Sequence, residues 1–95
     1  MEFVWNEEKA KANLSKHGVG FDEAKTVFDD PLCIDFYDPD HSDDEHRYII
    51  VGESQYDRLL IVAYTEREDT TRLISAREAT TAERKAYEEG YDTER

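Results

Sequence analysis

The sequence predicts an α+β domain in which helices pack on a largely antiparallel sheet of about four to five strands. Its 95 residues, 38% hydrophobic and 38% charged, suffice for one two-layer core. Apolar residues recur with a helical period in the first third of the chain, and the period then changes to two. The period-two segments are joined by short connections, which favour antiparallel pairing of neighbouring strands.

The first third of the chain supplies an opening strand and two helices. The segment "EFVW" is typical of a short strand, and Asn6 is a suitable N-cap for a helix that ends near His17. Gly18 follows in the position where helices prefer a left-handed backbone. A second short helix ends before Pro31 and carries three apolar residues on one face: Phe21, Ala24 and Phe28.

The remainder predicts four strands and a final helix. The strands are "LCIDFYD", "RYIIVGES", "RLLIVAYTER" and "TRLISARE", with "PDHSDDEH" as a polar loop and "QYD" as a three-residue hairpin connection. Thr80 and Glu83 have the spacing of a capping box, which opens a helix closed by Gly90. We therefore expect a single domain over residues 1–90 and a frayed tail over residues 91–95.

Charge and composition exclude several classes of protein. The net charge of −12 argues against non-specific coating of nucleic acid, which requires a cationic surface. The chain has no signal-peptide pattern and no apolar run that could span a bilayer, so a cytoplasmic protein without membrane contact is expected. Cys33 is the only cysteine, which excludes an internal disulfide and fits a small buried side chain in a strand.

Arginine is used selectively within this acidic chain. Residues 35–45 contain six acidic residues and no Lys or Arg, whereas residues 47–77 contain five arginines and no lysine. Planar guanidinium forks bind phosphate or carboxylate through two parallel hydrogen bonds, which lysine cannot do. For any single arginine, pairing with a nearby carboxylate is the favoured role. By residue spacing, Arg58 and Arg67 should point to opposite faces of the sheet, and so should Arg72 and Arg77.

The sequence does not assign a single role to the histidines. His17 ends a helix, where an imidazolium stabilises the negative end of the dipole, but it could also act as a general acid or base. His41 lies in the acidic loop, for which a solvated loop is favoured over a metal site because the spacing matches no metal-binding motif. No serine-nucleophile, phosphate-loop or zinc-protease motif is present.

Taken in order, several segments resemble one known family. "FVWNEEKAKANLSKHGVGFDEAKTVFDDP", then "DPDHSDDEHR", "LIVAYTER", "RLISAR" and "ERKAYEE" are similar to the BrnT toxins of bacterial type II toxin–antitoxin operons. This resemblance implies a RelE-like fold and cleavage of RNA without metal or other cofactor. It also implies a BrnA-like ribbon-helix-helix antitoxin as partner, and contact with DNA only through that antitoxin.

The resemblance also nominates site residues. The catalytic candidates are His17, Glu45, Arg47, Arg67 and Arg77, and Lys16 is an RNA-binding candidate. Arg72, from the set of strand arginines, is a second RNA-binding candidate. We expect Arg47, Arg67 and Arg77 to converge on the scissile phosphate, with Lys16 and His17 at the rim. The alternative is a catalytically weak member that keeps the fold and only binds a basic DNA-binding partner, which the acidic surface would attract.

Overall fold

A computed structural model describes residues 2–41 and 45–89 of the chain. The helices are α1 (Glu7–His17), α2 (Phe21–Ala24), which continues as a 3-10 turn (Lys25–Asp29), and α3 (Thr81–Glu88). The strands are β1 (Glu2–Val4), β2 (Ile34–Tyr37), β3 (Arg47–Glu53), β4 (Leu59–Arg67) and β5 (Thr70–Glu78). The predicted α+β class, with two N-terminal helices and one C-terminal helix, is confirmed.

The five strands form one mixed sheet in the order β1-β5-β4-β3-β2. Strands β2 to β5 pair antiparallel, and β1 adds a short parallel edge beside β5. The predicted "QYD" connection is a three-residue hairpin loop, closed by a 2.8 Å hydrogen bond from the Ser54 N–H to the Arg58 carbonyl. Asp57 completes it with a left-handed backbone at φ 63°, as loops of this length require.

Helix α1 is capped at both ends and tied to β5 by one buried amide. Asn6 accepts a 3.0 Å hydrogen bond from the Lys9 N–H, and Gly18 ends the helix at φ 72°. The Asn13 side chain accepts from the Ala76 N–H at 3.1 Å and donates to the Ala76 carbonyl at 2.8 Å. The Asn13 side chain therefore takes the place of a neighbouring strand at Ala76, on the part of the outer edge of β5 that β1 does not reach.

The core lies between the helices α1 and α2 and one face of the sheet, which we call the helical face. Its fully buried members come from the helices and their loop and from strands β3 to β5: Val19, Phe21, Ala24, Val27, Ile50, Leu60, Val62, Tyr64, Leu73 and Ala76. Cys33, predicted as a buried strand residue, is half-buried, packs against this cluster and lies just before β2.

A β-bulge in β5 decides which face its arginines occupy. Leu73 pairs with Tyr64 and Ser75 pairs with Ala63, so Ile74 is an extra residue in the ladder. Arg72 therefore pairs with Thr65, and Arg77 pairs with Ile61, four residues apart on β4. The prediction that Arg72 and Arg77 point to opposite faces was wrong, because it assumed an uninterrupted period of two. Both lie on the face opposite α1 and α2, which we call the second face.

Helix α3 crosses one end of the second face. It begins with the predicted capping box between Thr80 and Glu83. Glu83 pairs with Arg77 of β5, and the Tyr87 hydroxyl donates a 2.9 Å hydrogen bond to Asp30, which precedes β2. The helix therefore bridges β5 and the segment before β2 at one end of the second face and leaves the other end uncovered by it. Gly90 and the predicted tail lie outside the described residues.

Within the described ranges, none of the helices has the length and apolar character needed to cross a membrane.

Candidate active site

Three arginines from three adjacent strands lie together on the second face. Arg47 of β3 pairs with Thr65 of β4, and Thr65 pairs on its other side with Arg72 of β5. We call the line of paired residues Arg47, Thr65 and Arg72 the arginine row. Arg67 lies two residues beyond Thr65 on β4, so its side chain points to the same face. The predicted opposite orientation of Arg58 and Arg67 is confirmed, because Arg58 contacts α2 on the helical face.

The spacing of the row suits one small anion. Adjacent strands lie about 4.8 Å apart, so the backbones of Arg47 and Arg72 are separated by about 10 Å. Arg67 is displaced from Thr65 by two residues, or about 7 Å along the strand. Long, forked side chains at these positions can reach a common point above Thr65, where guanidinium groups could hold a phosphate bidentately.

A carboxylate stands beside this cluster. Glu45, just before β3, forms an ion pair with Arg67. The Glu45 side chain is one-third exposed, whereas that of Arg67 is 69% exposed. The pairing keeps a potential proton acceptor next to the arginines and leaves much of the Arg67 side chain open to solvent.

The hydroxyl of Thr65 lies beneath the arginines. Thr65 is 4% exposed, and within the part of the chain that the structure describes its Oγ1 atom has no hydrogen-bond partner. A buried hydroxyl without a partner is costly, so such groups commonly bond to a ligand or an ordered water. The position of Thr65 between two arginines makes a bound anion the natural acceptor for its proton.

An open cavity adjoins the row on the side of β1. It has a volume of about 490 Å³ and is lined by Val4, Arg67, Glu68, Thr70 and Arg72. Of the four arginines that the structure describes on the second face, two thus share one cavity, and the wall of this cavity is partly apolar. This combination could accept a group larger than a phosphate.

Arg77 is on the same face but stands apart from the row. It pairs with Ile61, four residues from Thr65, which is about 13 Å along the strand. Both terminal nitrogens of its fork donate to Glu83, each at 2.9 Å. The Arg77 fork and the N–H of Thr80 lower the pKa of Glu83 to about 2, so the pair stays ionised at neutral pH. The Arg77 fork is therefore engaged in anchoring α3. The expectation that Arg77 converges with Arg47 and Arg67 is not met, because the strand register places Arg72 beside them instead.

Arg58 has a structural role on the helical face. Its Nε donates to Glu23 at 2.9 Å, and its Nη2 donates to the Gly18 carbonyl at 3.0 Å. The Ser54 hydroxyl donates to the same carboxylate at 2.7 Å. The hydrogen bond from Arg58 is the main cause that holds the pKa of Glu23 below its usual range. Arg58 thus joins α2, the end of α1 and the β3–β4 hairpin.

The structure does not bring Lys16 and His17 to the arginine row. Both residues are exposed at the end of α1, beside Gly18 and its hydrogen bond from Arg58. Arg58 lies immediately before the first residue of β4, Leu59. Thr65 is six residues further along the strand than Leu59, which corresponds to about 20 Å. Lys16 and His17 are therefore separated from the row by the sheet and by most of its length.

The acidic segment offers no assembled metal site within the ranges described. No group of three or more His, Cys, Asp or Glu side chains comes together there in a metal-binding arrangement. The side chain of His41 and the whole of residues 42–44 lie outside the described part of the chain.

Sequence reasoning missed Thr65. Its neighbours in "AYTER" identify a strand, but no sequence signal shows that this hydroxyl stands between arginines of two other strands. That fact depends on the register of β3, β4 and β5, and on the bulge at Ile74.

The fold has a counterpart of known structure. The crystal structure of the Brucella abortus ribonuclease toxin BrnT superimposes with a TM-score of 0.66 at 21% sequence identity, covering 85% of this chain and 99% of that chain. At this identity the match supports the fold alone. Comparison with curated protein sequences finds no significant match.

Family membership follows from the sequence match. The model of the family described as "Ribonuclease toxin, BrnT, of type II toxin-antitoxin system" matches residues 5–83, which include α1, α2, strands β2 to β5 and the start of α3. The chain belongs to the BrnT family of ribonuclease toxins from type II toxin–antitoxin systems.

Proposed function

We propose that this protein cleaves single-stranded RNA at the arginine row without a metal ion, and that it acts in the cytoplasm. The observation that carries the proposal is the row itself. Arg47 and Arg72 flank the buried Thr65 hydroxyl, and Arg67 with its Glu45 partner lies beside them. Such a cluster of forked cations is otherwise unexpected in a chain with a net charge of −12.

The reaction needs only an internal nucleophile. The 2′-hydroxyl of the RNA attacks the adjacent phosphorus, the bond from phosphorus to the 5′-oxygen breaks, and a 2′,3′-cyclic phosphate and a 5′-hydroxyl result. Glu45 accepts the 2′-proton as general base, and water supplies the proton to the departing 5′-oxygen. His17 takes no part, because it stands at the opposite end of the sheet on the helical face.

The arginine row stabilises the transition state. Negative charge grows on the non-bridging oxygens as the phosphorus becomes five-coordinate, and donors fixed to a sheet need no reorganisation at that moment. One well-placed donor of this kind is worth about 3–4 kcal/mol. Arg47 and Arg72 supply forked donors from two sides, and Thr65 supplies a third donor from below.

A second function has its own support. Arg67 and Arg77 are each paired with a carboxylate, so part of the positive charge on the second face is already neutralised. A catalytically weak member of the family would retain the fold and bind only its antitoxin. Under either function we propose a BrnA-like ribbon-helix-helix antitoxin as partner, with the anionic toxin attracting a cationic antitoxin and contacting DNA only through it.

A cleavage assay with purified protein tests the proposal. Single-stranded RNA should be cut equally with and without EDTA, and its products should carry cyclic phosphate ends. The same oligonucleotide with 2′-deoxy sugars should remain intact. Arg84→Ala provides a matched control, since it removes an arginine from an exposed 3.5 Å pair with Glu88 on α3. Loss of cleavage in EDTA would refute the metal-free mechanism, and absence of cleavage would favour the binding function.

A further inference from the structure

An exposed aromatic ring adjoins the arginine row. Phe36 on the edge strand β2 pairs with Ile49 of β3, and Ile49 pairs with Ala63 of β4. These residues form the next row on the second face, two residues along each strand from Arg47 and Thr65. Phe36 is 46% exposed, in contrast to the other phenylalanines, which belong to the core or pack against it.

We infer that Phe36 is a stacking platform for a nucleobase of the RNA bound at the arginine row, which makes it a substrate-positioning residue. The inference rests on the proposed function. Phe36 is a diagonal neighbour of Arg47 across β2 and β3, at about 7–8 Å between backbones, a distance that aromatic and long side chains span. A base attached to a phosphate at the row can therefore extend over the ring.

The chemistry of this edge favours a base over a protein segment. Proteins that bind single-stranded nucleic acid combine a cationic track for the backbone with aromatic side chains on which bases stack. Arg47, Arg67 and Arg72 supply the track, and Phe36 supplies a ring on one side of it. On the other side, the cavity lined by Val4 and Thr70 leaves room for the neighbouring nucleotide.

The test uses the full-length protein and a single-stranded 2′-deoxy oligonucleotide that carries 2-aminopurine. Binding should quench the fluorescence of this base if it stacks on the protein. Phe36→Ala should weaken binding about tenfold, the typical worth of one stacked base, and should abolish the quenching. Phe36→Tyr and Phe36→Trp should retain both properties. Phe36→Leu keeps apolar surface without an aromatic face, and it should behave like Phe36→Ala.

Two controls separate this inference from the proposed function. Tyr56→Ala removes another exposed aromatic ring, from the β3–β4 loop at the far end of the sheet, and should change neither affinity nor quenching. Arg72→Ala should lose affinity whatever the role of Phe36. If Arg72→Ala loses binding while Phe36→Leu and Phe36→Ala keep it, the stacking platform is refuted and the proposed function stands.

The remaining outcomes also decide the matter. Wild-type protein that binds no oligonucleotide would overturn both the platform and the proposed function. Phe36→Ala that binds the oligonucleotide normally but no longer binds the antitoxin would overturn the platform and assign the ring to the protein partner. In steady-state cleavage, a platform predicts that Phe36→Ala raises KM with little change in kcat.

Discussion

Replacing Arg58 by alanine should destabilise the fold strongly without impairing RNA cleavage. The Glu23 side chain is 7% exposed and that of Arg58 is 32% exposed. Without Arg58, the buried Glu23 carboxylate keeps one side-chain donor among the described residues, Ser54. Removing one partner of a buried ion pair costs about 3–5 kcal/mol. Because solvent reaches Arg58, we expect the lower end, about 3 kcal/mol of unfolding free energy.

Urea unfolding followed by circular dichroism at pH 7 measures this loss. A change of about 3 kcal/mol in a domain of this size corresponds to a fall of about 12–24 °C in Tm. Arg84→Ala serves as the matched control, because its ion pair with Glu88 is exposed and should contribute less than about 0.5 kcal/mol. Below its Tm, Arg58→Ala should cleave RNA at the wild-type rate, because Arg58 lies on the helical face.

A double variant separates loss of the pair from loss of packing. Glu23→Gln combined with Arg58→Met removes both charges and keeps most of the side-chain volume, so it should recover much of the stability lost in Arg58→Ala. An unfolding free energy for Arg58→Ala within about 1 kcal/mol of wild type would refute the assignment of Arg58 as a buried structural tether.

Three further predictions concern stability and the arginine row. Asn13→Ala should cost about 2–4 kcal/mol, because it leaves the buried N–H and carbonyl of Ala76 unpaired, and unchanged hydrogen exchange at the Ala76 amide would contradict this. Glu83→Gln should cost about 1–2 kcal/mol at pH 7 and flatten the dependence of stability on pH. The Glu83 pKa falls from 4.5 to about 2 on folding, so the contribution of Glu83 to stability is complete above pH 4.5 and is lost on acidification towards pH 2. If wild type and Glu83→Gln lose equal stability on acidification, this contribution is excluded. Thr65→Val should leave stability unchanged or about 1 kcal/mol higher and lower cleavage about 100-fold, whereas unimpaired cleavage would show that the hydroxyl does not contact the phosphate.

Much of the fold was predictable because local signals agreed with one another. Asn6 and Gly18 delimit α1 as their capping preferences indicate, and the Thr80–Glu83 capping box opens α3. The alternation of apolar residues identified β3 to β5, and the short loops identified their antiparallel pairing. The parallel pairing of β1 with β5 was not predictable, since contact between strands 68 residues apart in sequence leaves no local pattern.

The site was less predictable than the fold. The sequence nominated Arg47, Arg67 and Arg72 among others, but their grouping depends on strand register. The bulge at Ile74 shifts Arg77 onto the same face as Arg72, and no glycine marks it in the sequence. The likeness of Lys16 and His17 to the family motif carried no information on distance, and the packing of α1 places them beside Arg58, at the end of β4 far from Thr65.

The measurement that tests the central claim most directly compares kcat/KM for Arg72→Ala and Arg77→Ala on one RNA substrate. Both residues lie on β5 and on the same face, but only Arg72 belongs to the arginine row. The account predicts a fall of at least about 100-fold for Arg72→Ala, the usual cost of losing a transition-state donor, and a fall of less than about tenfold for Arg77→Ala at a temperature where both are folded. A severe loss in Arg77→Ala with wild-type activity in Arg72→Ala would contradict it.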